Sequence, residues 1–316
     1  MSAPTFITGR GAINPWECDQ WGHLNVQFYL AKASDAQAHL AARLGVPPSR
    51  LRAAGPGLMP VTDRTLFKRE LRAGDIFNIR SGIRAVHADG TLDIASRMVN
   101  QDTGVESAAF ETRLRWVAAD RRSPLPWPEE VYAAAAALAG DLPDMPRPAP
   151  MAQAAPPAPD IADLELTYRG SLEPWECDAD GIAPPRAHIA RFNDAITHLF
   201  RVLGIDRGSL FQRGFGSAAL DYDIVYQRPM RSGQGIEVRS GLLSAGEKIF
   251  YVVHYVVDTA SGEIITSIVV TALFFDLKAR KSVPIGQALP GDTGGPLAAL
   301  AAHTGSAASG HPATRA

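Results

Sequence analysis

Between residues 29 and 44 the apolar side chains Tyr29, Ala33, Ala36, Leu40 and Leu44 recur at steps of three and four, the stripe of a helix that buries one face. Ile189, Phe192, Ile196, Leu199 and Leu203 repeat that stripe later in the chain, and the preceding Pro184-Pro185 can only stand ahead of a helix or in its first turn. Gly45 and Gly204 follow the two stripes and stop each helix where a left-handed cap costs least. A short strand is expected to end near Trp16 and again near Trp175, with an irregular turn carrying Asp19 or Asp178 before the helix. Downstream the pattern turns to strand. Residues 249–257 and 264–275 are nearly continuous β-branched and aromatic runs, and residues 100–104 and 258–262 read as hairpin turns between such runs. One helix against four or five antiparallel strands makes an α+β unit, in which the sheet covers the apolar stripe.

The order of elements occurs twice because the sequence does. Pro15-Trp16-Glu17-Cys18-Asp19 returns as Pro174-Trp175-Glu176-Cys177-Asp178, an offset of 159 (174 − 15). At that offset 13 of the 31 positions from 15 to 45 are identical, where chance gives about two. The same offset matches Phe67-Lys68-Arg69 with Tyr226-Gln227-Arg228, and Arg80-Ser81-Gly82 with Arg239-Ser240-Gly241. One domain has been duplicated, giving expected units at 5–127 and 164–286. Between them, Pro128-Glu129-Glu130 and the alanines up to Leu138 read as a short helix. Residues 141–160 hold seven prolines and read as an extended connector, and the Gly/Ala/Ser/Thr tail from about residue 291 reads as disordered.

Composition narrows the function classes. With 46% hydrophobic residues and a net charge of −2, the 316-residue chain has material for two cores and no global basic field for nucleic acid or an anionic membrane. Two cysteines, at equivalent repeat positions, form no disulfide framework and fit a reducing, cytoplasmic setting. The N-terminus lacks a signal-peptide pattern and no apolar run is long enough to span a bilayer. No dinucleotide fingerprint, phosphate-binding glycine loop or metal-ligand spacing occurs, His87, His188 and His254 being scattered, so neither cofactor nor metal is expected.

Residues 16–29, Trp-Glu-Cys-Asp-Gln-Trp-Gly-His-Leu-Asn-Val-Gln-Phe-Tyr, carry a family resemblance. Asp19, Gly22, His23, Asn25 and the following Tyr29 are similar to the signature of hotdog-fold acyl-CoA thioesterases of the 4-hydroxybenzoyl-CoA thioesterase type. The second copy keeps Asp178 and Gly181 but has Ile182 for the histidine and Pro184 for the asparagine. A glycine–isoleucine pair after the aspartate also occurs in that family. The resemblance implies a double hotdog, two antiparallel sheets each wrapped around a central helix and paired edge to edge, which removes one exposed edge per half. It also implies hydrolysis of an acyl-CoA thioester, and leaves room for homo-oligomers of such protomers.

Thioester hydrolysis needs a carboxylate beside the carbonyl carbon and fixed N–H donors at its oxygen. Asp19 is read as base or nucleophile, with backbone N–H groups near Gly22 and His23, entering the helix, as the oxyanion hole. His23 and Asn25 would orient water or hold the turn, and Asp178 with Gly181 would do the corresponding work in the second copy. As a turn or helix cap, Asp19 would need no chemistry at all. The pairs Asp35/His39 and Asp194/His198 read as structural, and a Cys18 nucleophile is disfavoured. Arg69, Arg72, Arg228 and Arg231, at equivalent strand ends, are candidates for the phosphates of coenzyme A, and Phe28, Tyr29, Phe192 and Phe200 for the acyl pocket. Two rivals remain: a hotdog hydratase or dehydratase, against which the absence of Asn-Pro after Asp19 speaks, and an acyl-thioester binding module without turnover.

Overall fold

A computed structural model describes residues 2–146 and 160–289. Most of the proline-rich connector and the tail from residue 291 lie outside the described residues. The first repeat runs β1 (Phe6–Ala12), α1 (Val26–Arg43), α2 (Pro48–Ala54), β2 (Gly57–Phe67), β3 (Ile76–Val86), β4 (Thr91–Asn100) and β5 (Glu106–Val117), followed by α3 (Glu129–Leu138). The second runs β6 (Glu165–Ser171), α4 (Pro185–Val202), α5 (Arg207–Gln212), β7 (Phe215–Tyr226), β8 (Gly235–Ala245), β9 (Ile249–Asp258) and β10 (Ile264–Asp276), then β11 (Lys281–Val283) and α6 (Ile285–Ala288). The short helices α2 and α5 lie in stretches without a long apolar period. Pro48 at the start of α2 and Asp206 capping α5, its carboxylate accepting from Gly208 N at 3.0 Å, are the local signals that start them.

The strands form one antiparallel sheet in the order β1-β3-β4-β5-β2-β7-β10-β9-β8-β6, with β11 added to β10. The repeats join where β2 pairs with β7, Thr62 opposite Val225 through Leu66 opposite Asp221. Each repeat wraps its sheet around its long helix, and the two helices touch across the seam. This is the double hotdog. Along α1 the buried side chains are Tyr29, Leu30, Ala33, Ala36, Leu40 and Ala41, and along α4 they include His188, Ile189, Phe192, Ala195, Leu199 and Phe200. One apolar cluster runs unbroken across the seam, from Tyr29 and Phe110 to Ile224 and Phe250. No helix among the described residues is long and apolar enough to cross a membrane.

The seam also carries charge. Arg64 on β2 meets Asp221 on β7 through Nη2 at 2.6 Å and Nε at 3.1 Å, and donates to the carbonyls of Met145 at 3.3 Å and Pro146 at 3.0 Å. Both side chains are under one-tenth exposed. The pair thus ties two strands and the start of the connector at one buried point.

Candidate active site

The repeated motif folds the same way twice. In each copy a 3-10 turn, Pro15–Glu17 or Pro174–Glu176, follows the first strand. Asp19 then closes a turn around Gly22: its N–H donates to the His23 carbonyl at 2.8 Å, and its Oδ1 accepts from Trp21 N at 2.9 Å and His23 N at 3.2 Å. Asp178 repeats this with Asp180 N and Ile182 N, each at 2.9 Å. Gly22 and Gly181 sit at φ +75° and +72°, which only glycine adopts without penalty. An acid in the 3-10 turn pins each turn to its helix, Glu17 to Lys32 at 2.7 Å and Glu176 to Arg191.

The helix starts later than the sequence suggests. Asn25 is the N-cap, its Oδ1 accepting from Gln27 N at 3.1 Å, and Val26 is the first helical residue. The Gly22 and His23 N–H groups are therefore spent inside the turn, Gly22 N donating to the Asp19 carbonyl at 3.0 Å. Val26 N–H has no partner among the described residues, as expected for the first N–H of a helix. At the equivalent position of the second copy, Pro185 opens α4 and has no N–H to offer.

The Asp19 turn leans on the other repeat. Trp21 packs on Phe211 of α5 with ring centroids 4.5 Å apart. With its amide oriented to suit its neighbours, Gln20 accepts from Trp21 Nε1 at 3.3 Å and from Arg207 Nη2 at 3.0 Å. Asn193 of α4 donates to Asn25 Oδ1 at 2.7 Å. Behind these contacts the second repeat holds a mostly apolar cavity of about 140 Å³, between α4 and strands β7, β9 and β10. Phe192, Ile196, Phe200, Phe250, Val252 and Val270 line it, and Val26 of the first repeat completes its wall. Ile196, the one residue of the α4 stripe not fully covered, owes its exposure to this space. Tyr222, also on the wall, continues a chain of edge-to-face rings through Phe67 at 5.2 Å to Tyr29. Of the four aromatic residues considered for the pocket, Phe192 and Phe200 reach it, whereas Tyr29 is core and Phe28 packs against that core.

The corresponding interior of the first repeat is polar. By strand register and repeat offset, Ile196, Val270 and Tyr222 correspond to Gln37, Thr112 and Asp63. Gln37 Nε2 donates to Thr112 Oγ1 at 2.7 Å, Thr112 donates to Asp63 Oδ1, and Tyr226 OH donates to Asp63 Oδ2 at 2.9 Å. Burial pushes the Asp63 carboxyl up to about 6 against those two bonds. A carboxyl raised in the folded state favours folding most below its unfolded value of 3.8, and that contribution disappears as pH rises through about 6. The shift is worth roughly 3 kcal/mol. Asp63→Asn is therefore expected to gain on the wild type by about that amount between about pH 4 and pH 7.5, measured by urea unfolding at both ends.

Around the Asp19 turn the charges cross the seam. His23 Nε2 lies 2.8 Å from Arg72 Nη2 and 3.1 Å from Glu70 Oε2, and it turns to them rather than to Asp19. Burial first, then Arg72, hold His23 below its usual range in spite of Glu70, so the ring is neutral near pH 7. Glu70 in turn meets Arg280 of the second repeat. Arg121, the counterpart of Arg280 at the same offset of 159 (280 − 121), meets Asp180 of the second copy's turn. Both arginines sit at positive φ, 59° and 55°, an unusual backbone for a side chain of that size. Of the candidate phosphate binders, Arg69 and Arg72 are exposed, Arg228 is held by Glu263, and Arg231 donates to the Asp120 carbonyl. Neither Asp35/His39 nor Asp194/His198 joins by hydrogen bond or ion pair among the described residues, Asp194 facing Arg191 at 3.7 Å instead. Cys18 and Cys177 each donate to a backbone carbonyl at 3.6 Å, and burial raises both thiols away from the reactive thiolate.

Two wrapped sheets joined at an edge define a double-hotdog protein, and a motif turn of one half stands beside an apolar cavity in the other as its composite candidate site. The chain belongs to the thioesterase-like superfamily, whose family model matches residues 13–135 and 172–290. Among solved structures it is similar to the acyl-ACP thioesterase from Bacteroides thetaiotaomicron, at a TM-score of 0.63 and 13% identity, with 86% of this chain and 97% of that one covered. It is also similar to the 12:0-ACP thioesterase from Umbellularia californica, at a TM-score of 0.66 and 11% identity, with 86% of this chain and 94% of that one covered. No curated protein sequence matches the chain.

Val26, Asn193, Arg207 and Phe211, which border the cavity or the Asp19 turn, carry no motif signal in the sequence. Asp206 before Arg207 was a readable helix start, and extending the repeat alignment to Arg121 and Arg280 would have exposed the cross-seam arginines.

Proposed function

We propose that the chain hydrolyses an acyl-CoA thioester at one composite site, formed by the Asp19 turn and the cavity of the second repeat. The observation that carries this reading is the Val26 N–H, which has no partner among the described residues at the start of α1, on a residue that also lines the cavity. With the acyl group in the cavity, the thioester carbonyl lies at that helix start. Asp19 either takes the proton of an attacking water and passes it to the departing thiolate, or attacks the carbonyl itself to give a mixed anhydride that water then hydrolyses, water supplying the proton of the departing thiol. Both routes put negative charge on the same oxygen, which the Val26 N–H and the positive end of α1 stabilise. Coenzyme A leaves as the thiol, and Arg69, Arg72, Arg207 and Arg280 offer positive charge near the mouth for its phosphates. Asp178 has the turn, but Pro185 removes the N–H at the position equivalent to Val26, and the interior of the first repeat is filled by the Gln37–Thr112–Asp63 network, so Asp178 is assigned a structural role.

The test is thiol release from a panel of acyl-CoA and acyl-carrier-protein thioesters. Turnover of enoyl thioesters without thiol release would support the hydratase, and tight binding without either signal the binding module. Val26→Pro sharpens the test, because proline is well tolerated at a first helical position and Asn25 already has the extended backbone, φ −65° and ψ 140°, that precedes proline readily. It should lower kcat by about 10²–10³, with KM and the unfolding midpoint little changed. Full activity of this variant would remove the Val26 N–H from the mechanism.

A further inference from the structure

Residues 17–19 and 23–25 form a short antiparallel ladder ahead of α1. Asn25 N donates to the Glu17 carbonyl at 2.9 Å, Asp19 N donates to the His23 carbonyl at 2.8 Å, and Cys18 stands opposite Leu24 between them. Side chains alternate across such a ladder. Cys18 and Leu24 turn to the core, so Asp19, His23 and Asn25 share the opposite face. Asp19 and Asn25 are diagonal neighbours on that face, about 7–8 Å apart. That span is too long for a hydrogen bond between them and wide enough for a water.

Asn25 is met from the other repeat. Its Oδ1 accepts from Gln27 N at 3.1 Å, and a backbone N–H can only donate, so the helix fixes which end of this amide is which. Asn193, 2.7 Å from the same oxygen, must therefore present its Nδ2. The Asn193 Oδ1 is left as an acceptor without a partner among the described residues, on a side chain that lines the cavity together with Val26. Asp19 is divided in the same manner: Oδ1 accepts from Trp21 and His23, and Oδ2 has no hydrogen bond among the described residues. The other half lacks both members of the amide pair. At the offset of 159 Asn25 corresponds to Pro184 and Asn193 to Ser34, whose hydroxyl donates to the Leu30 carbonyl of its own helix at 2.9 Å.

We propose that Asn193 Oδ1 holds the water that attacks the thioester, and that Asp19 acts on this water as a general base and not as a nucleophile. The proposal rests on the hydrolase reading above and deepens it. An amide oxygen in the cavity wall has nothing to give a carbonyl oxygen, itself an acceptor, but it takes one proton of a water. The other proton points to Asp19 Oδ2. With both protons on acceptors, the water oxygen turns a lone pair to the carbonyl carbon. As the C–O bond forms, Asp19 takes its proton, and the carbonyl electron pair moves to the oxygen facing the Val26 N–H. When that pair returns the C–S bond breaks, and Asp19 gives the proton to the departing sulfur, leaving the acid and the thiol.

Two measurements test this. In the first, wild-type protein in excess turns over an acyl-CoA once in water enriched in heavy oxygen, and the acid and the peptide bearing Asp19 are analysed by mass spectrometry. Label in the acid and none in Asp19 is the expected result. Label in the Asp19 carboxylate, where hydrolysis of a mixed anhydride would leave it, overturns the proposal. The second uses Asn193→Leu, similar in size and without an acceptor. It should lower kcat for hydrolysis by about 10- to 100-fold, with KM little changed. Loss of the brace on Asn25 alone would also slow turnover, so the variant is assayed with methanol competing against water. Methanol has a single O–H, enough for Asp19 and none for Asn193. The ratio of methyl ester to acid should therefore rise over wild type by about tenfold. Equal loss of both products, or hydrolysis close to the wild-type rate, overturns the proposal. Asn193→Ser, carrying the residue of the first repeat, takes the place of the leucine variant should that not fold. A protein that releases no thiol from any thioester fails the hydrolase reading itself, whereas label in Asp19 or an unchanged product ratio fails only the assignment of the water.

Discussion

Asp19→Asn is expected to keep its fold and lose about 10²–10⁴ in kcat for thioester hydrolysis, while Asp178→Asn stays within about twofold of wild type. The first variant is a clean one because of how the turn is built. Asp19 holds the turn through Oδ1, which accepts from Trp21 and His23, and an asparagine oxygen can accept the same two bonds, as a neutral and weaker acceptor. Only the second carboxylate oxygen changes, and with it the ability to take a proton or attack a carbonyl. A large loss with an unchanged unfolding curve therefore separates chemistry from capping, which the repeat itself cannot do, since Asp178 closes the same turn. The comparison is read as thiol release per mole of folded protein. Equal losses in both variants would mean two working sites and would contradict the role given to Pro185; no loss in either would return Asp19 to a cap.

The largest stability effect is expected at the seam. Asp221→Ala leaves the Arg64 guanidinium in a place where its side chain is only 9% exposed, and removing one partner of a buried pair typically costs about 3–5 kcal/mol. Arg64 would keep its bonds to the Met145 and Pro146 carbonyls but lose its counter-charge. Replacing both partners by apolar residues, Arg64→Met with Asp221→Leu, should recover much of that loss, because no charge is then left without compensation. Urea unfolding of the two variants checks this, and a double variant worse than the single one would show that the pair carries a net gain from its geometry.

The long helices and the motif turn were legible in the sequence because their signals are local. Spacing of apolar side chains gives the buried face of α1 and α4, and Gly22 and Gly181 mark the left-handed turn positions. What periodicity does not say is what a face is buried against. Trp21 finds Phe211 and Asn25 finds Asn193 across more than half the chain, so the composite nature of the candidate site follows from the β2–β7 pairing and not from either motif. The left-handed Gly22 belongs to the turn and not to the entry of the helix, which begins four residues later at Val26. Asn25, a good N-cap, was present in the motif, and taking it as such places the usable N–H at Val26. The difference between the two interiors shows in single letters, Ile196 against Gln37 and Val270 against Thr112, which acquire meaning only once strand register brings them together.

Covalent linkage of the repeats has an evolutionary consequence. In a symmetric pair of identical chains every substitution appears at both sites, so a proline that silences one helix start would silence the other. Here each position is encoded separately. Pro185 and the Gln37–Thr112–Asp63 network could be acquired on one side while Val26 and the apolar cavity stayed on the other. On the one-site reading proposed above, the other side is free to serve as scaffold, and the two members of the duplication can be tuned under different selection within a single folded unit.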